Sequence, residues 1–184
     1  MTGFEYFEQL YASSPDPWHL TETPYERRKY ELTIASLPDR TFRRAYEPGC
    51  SVGVLTELLV ARCDEVIASD PVPRAVELAR ERVPAATVVE GSLPDSWPDG
   101  SFDLVVLSEV LYYLTADDRA ATLDAARDRL EPGGVLVSVH WRHPFAEAEC
   151  DGDQVQREIE ATPGLELVVW HVERDFTLAV FDRA

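Results

Sequence analysis

Lysine is almost missing from this chain: Lys29 is the only one in 184 residues, and the basic total of 17 faces 34 acidic residues. The resulting formal charge of -17 argues against nucleic acid as a partner, because phosphate contacts need clustered Lys and Arg. It suits neutral or cationic small molecules, and it serves solubility equally well. Cysteine is scarce as well. Cys50, Cys63 and Cys150 are odd in number and widely spaced, as expected of reduced thiols in a cytoplasm. No apolar run approaches the length of a membrane span. Residues Met1 to Glu8 are acidic and aromatic and lack the basic and apolar regions of a signal peptide. The expectation is a cytoplasmic protein without a membrane partner, its oligomeric state open. A Gly-Lys-Ser/Thr phosphate loop is absent. His140 and His143, with Glu147, Glu149 and Cys150, lack the tight spacing of a zinc site, so no metal is expected.

What is present begins with 45% hydrophobic residues, enough to build one compact domain with a full core. The most informative segment is Glu47-Pro48-Gly49-Cys50-Ser51-Val52-Gly53. Arg44-Ala45-Tyr46 leads into it, and Val54 to Leu59 leaves it at helical spacing. A second short apolar run, Val66-Ile67-Ala68, ends in Ser69-Asp70. A strand, a glycine-containing turn, a helix, and an acid ending the next strand form the arrangement by which a doubly wound sheet holds a nucleoside. The turn brings a ligand to the backbone, and the carboxylate accepts from ribose hydroxyls. A dinucleotide needs G-x-G-x-x-G with its pyrophosphate on the helix N-terminus. Here the glycines read G-x-x-x-G behind an acid, Glu47, which would repel a pyrophosphate and suits a cationic ligand. S-adenosylmethionine carries a sulfonium and an ammonium and no phosphate. The segment resembles the first motif of class I S-adenosylmethionine-dependent methyltransferases, E-x-G-x-G-x-G, with Ser51 for the middle glycine. The other reading of the loop is an ordinary strand-helix turn.

Along the chain, Gly3 to Ala12 reads as a short amphipathic helix and Ser13 to Trp18 as a breaker-rich loop. Thr23 caps a second helix through Ser36, with Pro24 in its first turn. From Arg43 onward strands alternate with helices. Strands are expected at Val66 to Asp70, Ala86 to Glu90, Phe102 to Ser108 and Val135 to His140. Helices are expected at Pro73 to Arg82, Asp117 to Leu130 and Gly152 to Ala161, the second of these stopped by Pro132-Gly133-Gly134. Leu165 to His171 and Phe176 to Asp182 are joined by too few residues for a parallel crossover, so they pair antiparallel. The fold class is α/β: a doubly wound, seven-stranded, mostly parallel sheet ending in an antiparallel hairpin. A single domain is expected, with residues 1–38 a helical cover and 39–184 the cofactor-binding core.

Ligands in such sheets bind beyond the C-terminal strand ends. That places Glu47 to Gly53, Asp70, Ser92-Leu93, Ser108-Glu109 and His140 at the candidate site. Further segments extend the resemblance: Asp16-Pro17-Trp18, Pro24-Tyr25-Glu26-Arg27-Arg28-Lys29-Tyr30, Gly49 to Thr56, Ser108 to Leu114, and Val139-His140-Trp141. Together they are similar to the nodulation protein S group, small methyltransferases whose named members N-methylate an amino sugar at the end of a chitooligosaccharide.

The resemblance implies S-adenosyl-L-methionine as cofactor, held by Trp18, Tyr25, Glu47, Gly49, Cys50, Ser51, Gly53, Asp70, Ser92, Leu93 and Ser108. It implies a small polar acceptor, with an amine first and a sugar or metabolite hydroxyl as the alternative; a catalytically inactive cofactor-binding module is the other reading. An amine must be neutral to attack, so a base helps. His140 is expected to be that base or a structural strand-end histidine. Glu109 is expected to hold a cationic group, act as base, or cap a helix. Arg28 and Lys29, on the covering helix, are candidates for the methionine carboxylate or simply a solvated face.

Overall fold

The computed structural model describes residues 3–38 and 41–184. The expected boundary between cover and core, at 38/39, touches residues outside this range. Two helices come first, α1 (Gly3–Ser13) and α2 (Pro24–Ser36). Pro24 opens α2 as expected, but the Thr23 hydroxyl donates back to His19 O at 2.8 Å instead of accepting from a helix amide. The intervening Asp16-Pro17-Trp18 loop is organised by Asp16, which accepts from the Leu20 and Thr21 amides, each at 2.9 Å.

The alternating part runs β1 (Phe42–Pro48), α3 (Val54–Leu59), β2 (Cys63–Asp70), α4 (Pro73–Arg82), β3 (Thr87–Glu90) and β4 (Phe102–Ser108). A 3-10 turn at Leu111–Tyr113 follows, then α5 (Ala116–Arg129), β5 (Leu130–Trp141), α6 (Gly152–Glu160), β6 (Leu165–Val172) and β7 (Phe176–Arg183). The strands form one seven-stranded sheet in the order β3-β2-β1-β4-β5-β7-β6. β1 to β5 pair parallel, and β7 pairs antiparallel with both β5 and β6. Among the described residues no helix is long and apolar enough to cross a membrane.

The expected break at Pro132-Gly133-Gly134 is placed differently. α5 ends at Arg129 and β5 begins at once, with Leu130 opposite Phe102 and a register shift before Leu104 pairs with Val135. Pro132, Gly133 and Gly134 have no register partner on β4 and bulge out of the ladder, with Gly133 in left-handed backbone (φ 74).

Successive side chains of the central strands go to opposite faces. Leu104 and Val106 meet Tyr30, Leu55 and Leu59 beneath α2 and α3. Tyr46, Val105, Leu107 and Phe181 join Leu123, Val155 and Ile159 of α5 and α6. Burial on both faces explains why these strands are nearly continuous apolar runs. Strand order reverses between β1 and β4, so Pro48 and Ser108 flank the crevice in which such sheets hold ligands. Phe181 is fully buried at the hairpin side of that core. Phe181→Ala should lower the unfolding free energy by about 3–5 kcal/mol, measured by urea denaturation.

Candidate active site

The loop after β1 is shaped by left-handed backbone at Gly49 (φ 72), Ser51 (φ 52) and Gly53 (φ 81). A Cβ on Gly49 would lie 2.2 Å from Val110 Cγ1, so this glycine exists for the close approach of the β4 loop. On Gly53 a Cβ would meet Ala79 and Val83 at 3.3 Å, so that glycine serves the packing of α4. The Asp70 carboxylate stitches the loop to β2. Its Oδ2 accepts from Ser51 N and its Oδ1 from Val72 N, both at 3.0 Å. Burial pushes the Asp70 carboxyl up to about 6, against the pull of those two amides. Glu47 is fully enclosed and is pushed up to about 8 by burial, although Thr56 Oγ1 donates to it at 2.6 Å. From α1, the Tyr11 hydroxyl reaches Ser51 Oγ at 2.5 Å.

These residues form the floor of a cavity of about 400 Å³, within the usual range for small-molecule sites. Gly91, Ser92 and Leu93 wall one side and Trp18 and Leu20 another. At the far end α2 lowers an acidic cluster onto the end of β4. Lys29 is 3% exposed, and its Nζ lies 2.6 Å from Glu109 Oε1 and 2.8 Å from Glu26 Oε2. Burial would lower its pKa, but the two carboxylates hold it above the ordinary lysine value. Glu109 has left-handed backbone (φ 58), and its Oε2 accepts from the Tyr112 hydroxyl at 2.6 Å and from Trp141 N at 2.8 Å. Burial alone would raise its pKa; Lys29 and these donors hold the carboxyl below the usual range. Phe7, Tyr113 and Phe145 close this end packed edge to face, with Phe7 and Tyr113 centroids 4.9 Å apart.

Of the residues expected at the site, Trp18, Glu47, Gly49, Cys50, Ser51, Asp70, Ser92, Leu93, Ser108 and Glu109 line the cavity together. Tyr25, Gly53 and His140 do not. Tyr25 turns to Trp141 and Phe176, 5.8 and 6.2 Å between centroids. His140 is completely buried: Leu111 N donates to its Nε2 at 3.3 Å, and Nδ1 faces Ser138 Oγ at 3.1 Å. With Nε2 accepting, the ring proton sits on Nδ1 and no lone pair is free. The geometry here makes His140 a brace for the 3-10 turn that carries Tyr112, which corrects the expectation that it faces the ligand. Arg28 also turns away, making a two-pronged pair with Glu173 at 2.6 and 2.7 Å. Sequence reasoning passed over Phe7, Tyr11, Glu26 and Phe145. Glu26 could have been noticed: it stands three residues before the sole lysine, on one helical face.

A nucleoside-sized crevice at the switch point, floored by a glycine turn and a strand-end acid, defines a ligand-binding doubly wound α/β protein. Comparison with known proteins narrows this class. Residues 46–138 match the family described as Methyltransferase domain. Nodulation protein S of Rhizobium tropici is 35% identical over 131 residues, which is 68% of this chain and 55% of that protein. The chain thus spans about half the length of that curated relative. The crystal structure of a Pseudomonas syringae protein assigned to the methyltransferases is 40% identical, with a TM-score of 0.77 over 86% of this chain and 99% of that one. N-methyltransferase NodS of Bradyrhizobium japonicum WM9, crystallised with S-adenosyl-L-homocysteine, is 26% identical, with a TM-score of 0.88 over 100% of this chain and 99% of that one. The chain belongs to the class I S-adenosylmethionine-dependent methyltransferase family.

The enclosure of His140 has a measurable sign. Burial holds its pKa at about 4 against the ordinary 6.5. Between those values the unfolded chain binds a proton that the folded one refuses, so falling pH favours unfolding through this group. The raised Glu47 and Asp70 have the opposite slope, which a variant retains. The stability advantage of wild type over His140→Gln should therefore shrink by roughly 2 kcal/mol between pH 7 and pH 5, measured by urea denaturation at both pH values. Parallel pH dependence in the two proteins would mean an accessible imidazole.

Proposed function

We propose that this protein transfers a methyl group from S-adenosylmethionine to a small amine. The observation that carries the reading is the charge of one continuous cavity: Glu26, Glu47, Asp70 and Glu109 face into it, and Lys29, already paired twice, is the one basic side chain among its described lining residues. Such a cavity favours a sulfonium cofactor and an amine acceptor over acceptors bearing phosphate or carboxylate groups, which would find no unpaired cation.

S-adenosylmethionine supplies an electrophilic methyl group on a cationic sulfur. Asp70, at the end of β2 and fixed by two loop amides, is suited to accept from the ribose hydroxyls. The Gly91-Ser92-Leu93 wall suits the adenine, and the Gly49-Cys50-Ser51 backbone suits the rest of the nucleoside. Glu47 and Ser108, at the ends of β1 and β4, suit the methionine ammonium. The residues fit this group on their own chemistry: a raised acid such as Glu47 is one that a cation would draw back to its ionised form. At the other end, Glu109, Tyr112 and the aromatic edges orient the acceptor. Methyl transfer gains most of its rate from such positioning, with reacting atoms held about 3–3.5 Å apart. An amino sugar, as the nodulation protein S resemblance implies, is one acceptor of this kind. The helices before β1 serve as the cover of this single domain.

Labelled S-adenosylmethionine with a panel of amines and matched alcohols tests the reading directly; label entering only the alcohols would reject an amine acceptor. Asp70→Ala should weaken S-adenosylhomocysteine binding roughly 10- to 150-fold, the worth of charge-assisted hydrogen bonds. Calorimetry measures this, and a change below twofold would remove Asp70 from the ribose.

A further inference from the structure

An amine acceptor arrives protonated at neutral pH and must lose that proton before its nitrogen can attack. Three side chains near the acidic end of the cavity could take it. His140 has no free lone pair and no exposed surface. Glu109 is held by three donors: Lys29, Tyr112 and Trp141 all donate to it at 2.6–2.8 Å, and each donor makes the carboxylate a weaker base.

Glu26 stands apart. It lines the same cavity from α2, with its side chain 14% exposed. Its Oε2 is buried against Lys29 Nζ at 2.8 Å, and Lys29 is the one described group paired with this carboxylate, against three donors on Glu109. Besides Lys29, the charged and titratable groups that interact electrostatically with it are two acids, Glu109 at the end of β4 and Asp16 in the loop before α2, and the hydroxyls of Tyr25, Tyr30 and Tyr112. We propose, resting on the methyl-transfer reading above, that Glu26 is the base that takes the proton from the acceptor's ammonium. Burial raises the Glu26 carboxyl against the pull of Lys29, while Glu109 on the other side of the same ammonium is held low. Two carboxylates whose environments push them apart in this way divide their work. Glu109 stays ionised and holds position; Glu26 exchanges the proton.

The step balances. The acceptor ammonium gives one proton to the Glu26 carboxylate and keeps its lone pair. That pair forms the new nitrogen–carbon bond as the sulfur–carbon pair leaves with sulfur, and neutral Glu26 then returns its proton to water.

The test compares wild type with Glu26→Gln, using labelled S-adenosylmethionine and two amines, glucosamine and a chitooligosaccharide with a free terminal amine. The variant should bind S-adenosylhomocysteine within threefold of wild type and lose about 10²-fold in kcat at pH 7. Its rate should then climb with the neutral fraction of the amine, about tenfold per pH unit below the amine's own pKa and level above it, because only amine already neutral in solution can react, while wild type changes less than threefold over the same range. A variant within threefold of wild type at pH 7, or one whose profile runs parallel to wild type, overturns the proposal. If Glu26→Gln does not fold, Glu26→Asp decides, since a displaced base must slow kcat at least tenfold with the same rise at high pH. Wild type that binds S-adenosylhomocysteine but methylates neither amine also overturns the assignment. Wild type that fails to bind S-adenosylhomocysteine overturns the cofactor reading beneath it.

Discussion

Lys29 carries its ammonium from α2 into a place where only 3% of the side chain meets solvent, and Glu26 and Glu109 receive it there. Burying an ammonium costs several kcal/mol, so the arrangement survives only because both carboxylates are close and Glu109 is itself held by Tyr112 and Trp141. The consequence is mechanical as well as electrostatic. The covering helix is tied through one side chain to the end of β4, and through Glu109 to the 3-10 turn and the end of β5. Arg28, one position earlier, ties the outer side of the same helix to Glu173 of the hairpin. Removing the ammonium would leave two acids facing each other and the inner side of the helix without its polar tie to the end of β4.

The cavity holds its acids in different states. Glu47, enclosed beside Thr56, is pushed up to about 8, and Asp70 to about 6, so at neutral pH the floor is less anionic than its formula suggests. A cation entering the crevice would draw both down and take on their charge. Glu109, under the direct field of Lys29, is ionised from the start. The site therefore has a fixed negative charge in Glu109 where the acceptor is proposed to sit, and an inducible one in Glu47 beside the largely ionised Asp70 where the cofactor is proposed to lie. Both follow from the same fact, that burial raises an acid unless a cation or several donors stand beside it.

Much of the scaffold was legible in the chain. The strands over Phe102–Ser108 and the helix over Pro73–Arg82 fall where the apolar runs and the opening proline put them. The loop from Glu47 to Gly53 turns in left-handed backbone at its glycines. Local signals were incomplete in two places. Pro132-Gly133-Gly134 stops α5 as it reads, but the strand resumes around it, with Leu130 opposite Phe102 and Val135 opposite Leu104. His140 reads as a base or as a structural strand-end histidine, and the turn after β4 folds its Leu111 amide onto the ring nitrogen. No pattern in the residues around His140 could have announced a donor from another strand's loop.

Periodicity and turn chemistry act between neighbours in the chain, so the sequence by itself determined the alternation of strands and helices, the antiparallel end of the sheet, and the glycine turn with its following acid. A proton's destination depends on which lone pairs remain open and on how much water each acid loses, and both depend on groups far apart in the chain. Lys29 and Glu109 meet across 80 positions, and Leu111 and His140 across 29. Only the tertiary structure could decide that His140 is sealed, that Glu109 is held by three donors, and that Glu26, three residues from the sole lysine, lines the cavity with Lys29 as its one paired group.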